Sequence, residues 1–174
     1  MKIALVGSRY FAATVFDMLR QLDGVQLTRI VAPAADDRLA LAAQAAGLAV
    51  HVLANPKIVP GEAIAEGTDL IVAAHTHARV SNEALARSRH RGIGYHPSLL
   101  PRHKGLDTHA RALAAGDDEH GVTVHFVTAE LDHGPIVLQS VVPLLASDDA
   151  ERLAARVLAT EHRIYPLAAR WFVE

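Results

Sequence analysis

The chain has 174 residues, 51% of them apolar and 21% charged, with a formal net charge of −2. That length suits one domain with a real core, and the near-balanced charge gives no reason to expect non-specific binding to nucleic acid or membrane. The absence of cysteine excludes disulfides, thiolate zinc sites and redox-sensing thiols.

Ile3 to Val6 is an apolar run followed by glycine, the pattern of a buried parallel strand. No signal peptide is visible, because this run leads straight to Arg9, Asp17 and Arg20. No stretch approaches the ~18 to 20 apolar residues of a membrane span, so a cytoplasmic protein is expected. Phe11, Val15, Met18, Leu19 and Leu22 recur at helical spacing, and Gly24 stops the pattern. A second strand is expected over Val25 to Val31, a helix over Arg38 to Ala46 with Gly47 at its cap, and a short third strand over Leu48 to Leu53. The Pro- and Gly-bearing stretch Asn55 to Gly67 has room for one brief helix. A fourth strand (Leu70 to Ala74), a helix (Asn82 to Arg89) and a fifth strand (Gly92 to Tyr95) come next. This alternation predicts a Rossmann-like α/β fold, an open and mostly parallel sheet with helices on both faces. After a helix over Leu106 to Ala115, Val122 to Val127 and Ile136 to Val142 read as strands joined by a loop, so the sheet of about seven strands turns mixed. Asp148 with Glu151 suggests a capping box for a last helix that buries Leu153, Val157, Ile164, Leu167 and Trp171, with a kink expected at Pro166. No linker or repeat interrupts the chain, and residues 1–174 are expected to form one domain.

Two loops carry the chemistry. His96 ends the fifth strand, and Pro97 and Pro101 stiffen the loop beyond it; an imidazole so held suits a catalytic acid or base. Asp132 lies in the Gly/Pro turn between the last two strands. Neighbouring strands would bring the two together, and a carboxylate beside an imidazole favours its charged form. Spacing alone leaves two ordinary polar loops as an equal reading.

The pattern His96-Pro-Ser-Leu-Leu-Pro, then Gly105-Leu-Asp-Thr-His109, Gly116-Asp-Asp-Glu-His-Gly121, Leu131-Asp-His-Gly-Pro135 and Thr160-Glu-His-Arg-Ile-Tyr-Pro166 resembles the folate-dependent formyltransferase family. The match is with its purine-pathway branch from about Lys104 onward and looser before. The resemblance implies transfer of a formyl group from 10-formyltetrahydrofolate to a primary amine, with phosphoribosylglycinamide ranked first among acceptors. It assigns catalysis to His96 and Asp132. It assigns folate contacts to the loop bearing His75 and His77 and to Val80, Val127 and Asp132. Amine-substrate contacts fall to Gly7, Ser8, Arg9 and Glu161. Small molecules are the implied partners, and a homodimer is left open.

Two departures stand out. The family's catalytic asparagine, two positions before the histidine, is here Gly94, which has no side chain to polarise a formyl group; His75 or His77 is the preferred substitute donor. The turn Gly7-Ser8-Arg9-Tyr10-Phe11-Ala12 is neither the dinucleotide fingerprint nor the Gly/Ser/Asn phosphate loop of the purine branch. A formyl-folate hydrolase and a folate-binding homologue without turnover are therefore the alternatives. His75-x-His77 also raises a metal site, but no third ligand stands at diagnostic spacing, and none is assigned. His103, His109, His120, His125 and His133 are read as loop or core residues.

Overall fold

The computed structural model describes every residue except Ala129, Val173 and Glu174. In chain order its elements are β1 (Lys2–Gly7), α1 (Arg9–Leu19), β2 (Gln26–Ala32), α2 (Arg38–Ala45), β3 (Val50–Val52), β4 (Ile58–Val59), a 3-10 turn (Gly61–Ala63), β5 (Leu70–Ala74), β6 (Arg79–Val80), α3 (Asn82–Ala86), β7 (Gly92–His96), α4 (Thr108–Ala115), β8 (Glu119–Phe126), β9 (Ile136–Pro143) and α5 (Ala150–Arg170). Seven strands make one sheet in the order β3-β2-β1-β5-β7-β8-β9. The first five are parallel; β8 pairs antiparallel with β7, and β9 with β8. β9 runs antiparallel to β8 because the loop between them holds no crossover helix to return the chain parallel.

Strand alternation sorts the core into two clusters. Ile3 and Leu5 of β1 face α1 and α5 with Phe16, Leu19, Val157 and Tyr165, whereas Ala4 and Val6 face Ile71, Ala84 and Leu85. Both sides of β1 are thereby dry, which is why its sequence is a continuous apolar run. Tyr165 is fully buried, and its hydroxyl lies 2.7 Å from the Ala73 carbonyl and 3.0 Å from that of Ile93, pinning α5 across β5 and β7. Gly7 is demanded by packing: a Cβ there would stand 2.3 Å from the Ala74 oxygen and 2.6 Å from the Ala12 Cβ.

The sequence-based boundaries need several corrections. The third strand is only Val50–Val52, and the Asn55–Gly67 stretch holds β4 and the 3-10 turn; β4 pairs with β6 in a separate two-stranded sheet. The helix expected to reach Arg89 stops at Ala86. α4 starts at Thr108 because Asp107 adopts a left-handed conformation, and Leu106 is exposed. β8 begins at Glu119, three residues early. Asp149, not Asp148, caps α5, accepting from the Arg152 amide at 2.8 Å; Asp148 instead takes the Leu145 amide and pairs with Arg156. Leu167 and Trp171, expected inside, are 52% and 55% exposed, since the helix turns both outward. α5 runs on through Pro166 as one element.

Candidate active site

His96 closes β7 at the carboxyl end of the parallel strands, where open α/β sheets place their ligand crevice. Its loop is fastened to β8: the Thr123 hydroxyl donates to the Ser98 carbonyl at 2.7 Å and accepts from the Leu100 amide at 3.0 Å, and the Ser98 hydroxyl donates to the Arg102 carbonyl at 2.6 Å. Asp132 arrives from the loop after β8 with φ 55°, a left-handed geometry that aspartate tolerates better than most residues. Its Oδ2 lies 3.3 Å from His96 Nδ1 and accepts the Gly105 amide at 3.1 Å. His96 Nε2 lies 2.9 Å from the His103 carbonyl oxygen.

These contacts orient the ring. A carbonyl oxygen only accepts, so the contact with His103 requires the proton on Nε2, and Nδ1 is the nitrogen turned toward the carboxylate. Both side chains are only 8% exposed, which keeps the pair in a weakly screened setting.

The register of β7 on β8 puts Gly94 opposite His125, on the same face of the sheet as His96. His125 Nδ1 donates to the Phe126 carbonyl at 3.0 Å, and Nε2 lies 3.9 Å from Asp132 Oδ1. Burial is the main cause holding its pKa below the usual histidine value. By sequence His125 is an ordinary strand histidine. Only the antiparallel register, invisible in the sequence, brings it to the pair. At Gly94 an added Cβ would meet Val127 Cγ2 at 3.3 Å and nothing else closer than 4.0 Å, so a side chain fits if Val127 yields slightly.

On the opposite face, Tyr95 packs on Phe11 and Tyr165 with ring centroids 4.5 and 5.3 Å away. His75 Nδ1 lies 3.3 Å from the Tyr95 hydroxyl, and the His75 and His77 rings sit edge to face. The described contacts of His75 thus run to Tyr95, not to His96. Glu161 on α5 is buried near Tyr95; desolvation pushes its carboxyl up to about 8, so it is mostly neutral at pH 7. Val80 is buried in the second core cluster, and Val127 packs against that cluster while its amide donates to the Gly92 carbonyl at 2.7 Å.

The first strand-to-helix turn borders a cavity of about 230 Å³ lined by Gly7, Ser8, Arg9, Asp37 and His77 among others. The Ser8 hydroxyl is spent on the His75 carbonyl at 2.6 Å. Beyond the His96 loop, His103 Nε2 bonds Asp117 at 2.6 Å, which holds that carboxyl below the usual aspartate range. His120, 3.1 Å from His109 Nδ1, is driven down to about 4 chiefly by burial and then by the two neighbouring histidines. No group of three or more residues among those described could hold a metal ion. No described helix is long and apolar enough to cross a membrane. Ala129, in the motif that carries Asp132, lies outside the described residues.

The pattern of the formyl transferase family matches residues 1–169. Phosphoribosylglycinamide formyltransferase of Escherichia coli (strain K12) is 40% identical over 141 residues, covering 76% of this chain and 66% of that protein. The protein of the same name from Haemophilus influenzae is 46% identical over 106 residues, covering 61% and 50%. The matched region thus spans between half and about two thirds of these relatives. Among solved structures, phosphoribosylglycinamide formyltransferase from Anaplasma phagocytophilum superimposes with a TM-score of 0.83 at 30% identity, over 99% of this chain and 87% of its own.

Proposed function

This chain belongs to the formyl transferase family, and from that premise we propose that it transfers a formyl group from 10-formyltetrahydrofolate to a primary amine. Phosphoribosylglycinamide, the acceptor in the relatives' names, is the reference substrate. The observation that carries the reading is the buried His96–Asp132 pair, an imidazole held beside a carboxylate at a strand-end crevice.

Attack of the amine nitrogen on the formyl carbon turns the carbonyl oxygen into an oxyanion. His96 donates to that oxygen, and Asp132 orients the ring and stabilises charge that develops on it. For Nε2 to do so, its proton must be released by, or shared with, the His103 carbonyl. The oxyanion then collapses to re-form the carbonyl as the bond from carbon to the folate nitrogen breaks, and the amine proton passes to the leaving nitrogen. His125, neutral and beside the pair, is placed to accept a proton on Nε2 in transit. Glu161, neutral when unoccupied, would ionise on meeting an ammonium group, which must lose a proton before its nitrogen can attack. The folate contacts read from the sequence (His75, His77, Val80, Val127) and the turn Gly7-Ser8-Arg9 are part of the same proposal. So are small-molecule partners, a homodimer and a cytoplasmic setting.

One observation favours a second reading. Gly94 leaves the crevice without the amide side chain that the resemblance calls for, which fits a folate binder without turnover. Incubation with 10-formyltetrahydrofolate, with and without phosphoribosylglycinamide, separates the cases. Formylated amine supports transfer, formate without amine indicates hydrolysis, and folate binding with neither product sinks the enzymatic reading.

A further inference from the structure

Glu161 is only 5% exposed, yet no described residue forms a hydrogen bond or ion pair with its side chain. Burying a carboxyl to which nothing donates is costly, so such a group marks a place where a ligand supplies the donor. Its oxygens are not sealed off: among the described residues, Arg29 Nε is the one fully enclosed side-chain nitrogen or oxygen without a partner. Tyr165 follows one helical turn later on the same face of α5, and the Tyr95 ring stands edge-on to it. Glu161 and Tyr95 are thereby neighbours. Burial first, and then the Glu161 charge, push the Tyr95 phenol above its ordinary range.

The Tyr95 hydroxyl has one described hydrogen-bond partner, His75 Nδ1 at 3.3 Å. That imidazole is held from behind, because His75 takes a left-handed backbone (φ 49°) after β5 and its carbonyl accepts the Ser8 hydroxyl at 2.6 Å. Burial is the main cause lowering its pKa, followed by His77 and Arg9, with Asp37 opposing. A neutral imidazole has one ring nitrogen free to accept. Tyr95 precedes His96 on β7, and the two side chains leave the strand end on opposite faces. An acceptor nitrogen held at Tyr95 therefore faces a formyl group bound at His96 across the tip of one strand.

From these positions we propose that Tyr95 determines acceptor specificity: its hydroxyl donates to His75 Nδ1 and turns its lone pairs toward Glu161, so that phenol oxygen and carboxylate together hold the acceptor's ammonium. His75 acts through Tyr95, as a positioning residue. A hydroxyl brings a single donor where an ammonium brings several and a charge, so the two oxygens select a protonated amine over an alcohol. The inference rests on the formyl-transfer reading, in which Glu161 meets the acceptor, and adds the residues that read the acceptor's charge.

Tyr95→Phe keeps the ring against Phe11 and Tyr165 and removes only the oxygen. With phosphoribosylglycinamide at saturating 10-formyltetrahydrofolate, it is expected to raise the acceptor KM about tenfold, with kcat and folate affinity within about threefold of wild type. His75→Gly suits the left-handed backbone and removes the ring. It is expected to raise the acceptor KM about threefold or more in wild type and less than about twofold in Tyr95→Phe, where the hydroxyl it positions is gone. An unchanged acceptor KM in Tyr95→Phe overturns the proposal, as does a His75→Gly effect of equal size in both backgrounds. If folate binds and no amine is formylated, the transfer reading fails, and the subsite is decided by NMR titration with glycinamide and with glycolamide, which carries a hydroxyl in place of the ammonium. Tighter binding of glycinamide that Tyr95→Phe abolishes supports the proposal; equal binding of the two, or a preference kept in Tyr95→Phe, overturns it. His75→Gly takes the place of Tyr95→Phe in either assay should that variant not fold.

Discussion

Asp132→Asn removes one charge from the crevice and little else. Asparagine tolerates the left-handed backbone at this position, and its amide oxygen can still accept from Gly105. In the wild-type protein the carboxylate stands 3.3 Å from His96 Nδ1 with both side chains 8% exposed. Two unit charges at that separation attract by about 5 kcal/mol at an effective dielectric of about 20, the ceiling for what the variant gives up. The loss should fall on the state with the developing oxyanion, because a neutral imidazole donates more weakly. Single-turnover formyl transfer is expected to slow on the order of 10² to 10³, with folate affinity changed far less. In parallel, the ring nitrogen resonances of His96 should differ between wild type and Asp132→Asn, because the carboxylate lies against Nδ1. A rate within about threefold of wild type, with an unchanged His96 ring, would refute the pairing as the source of catalysis.

Gly94→Asn should restore a donor beside His96: the added Cβ meets only Val127 at 3.3 Å, and transfer should rise by up to ~10² unless the side chain cannot turn into the crevice. Wild-type rates in a variant that binds folate normally would show that another group already supplies that donor. Glu161, raised to about 8 by burial, binds a proton in the folded state over the range where the unfolded carboxyl has lost it. Stability should therefore fall as pH rises from about 4.5 to about 8, and urea titrations of Glu161→Gln should lose that slope; identical slopes in both proteins would count against a buried neutral carboxyl. Tyr165→Phe leaves two buried carbonyls without their hydroxyl donor and should cost about 1 to 3 kcal/mol in urea unfolding. An unchanged midpoint would mean that water replaces the bond.

The sheet was legible because its strands are buried on both faces. Ile3–Val6 and Leu70–Ala74 have no polar residue to hide, and Gly7 and His75 mark where they stop. His96 and Asp132 were legible as candidates because prolines and glycines fix loops at strand ends. Short elements were not. β4 and β6 have two residues each, too few for any period to register, and exist through their pairing alone. The start of α5 was misplaced by one residue because Asp148 and Asp149 are equally good caps by type. Only the Arg156 contact and the bend of the chain decide between them.

The sequence by itself determined the class of fold and the loops where chemistry sits, since both are properties of local residue type; that Gly94 lacks an expected side chain came from the family resemblance. The tertiary structure decided what those residues face. Register set His125 across from Gly94, the His103 carbonyl took the second nitrogen of His96, and the fold of α2 brought Asp37 to the head of α1. Each is a contact between segments distant along the chain or turned back on themselves, and hydrogen bonds across space leave no period in a sequence to be read. For the same reason the sequence could not orient His75: strand order predicted its neighbourhood, but its ring turns to the Tyr95 hydroxyl and away from His96, a choice made by packing alone.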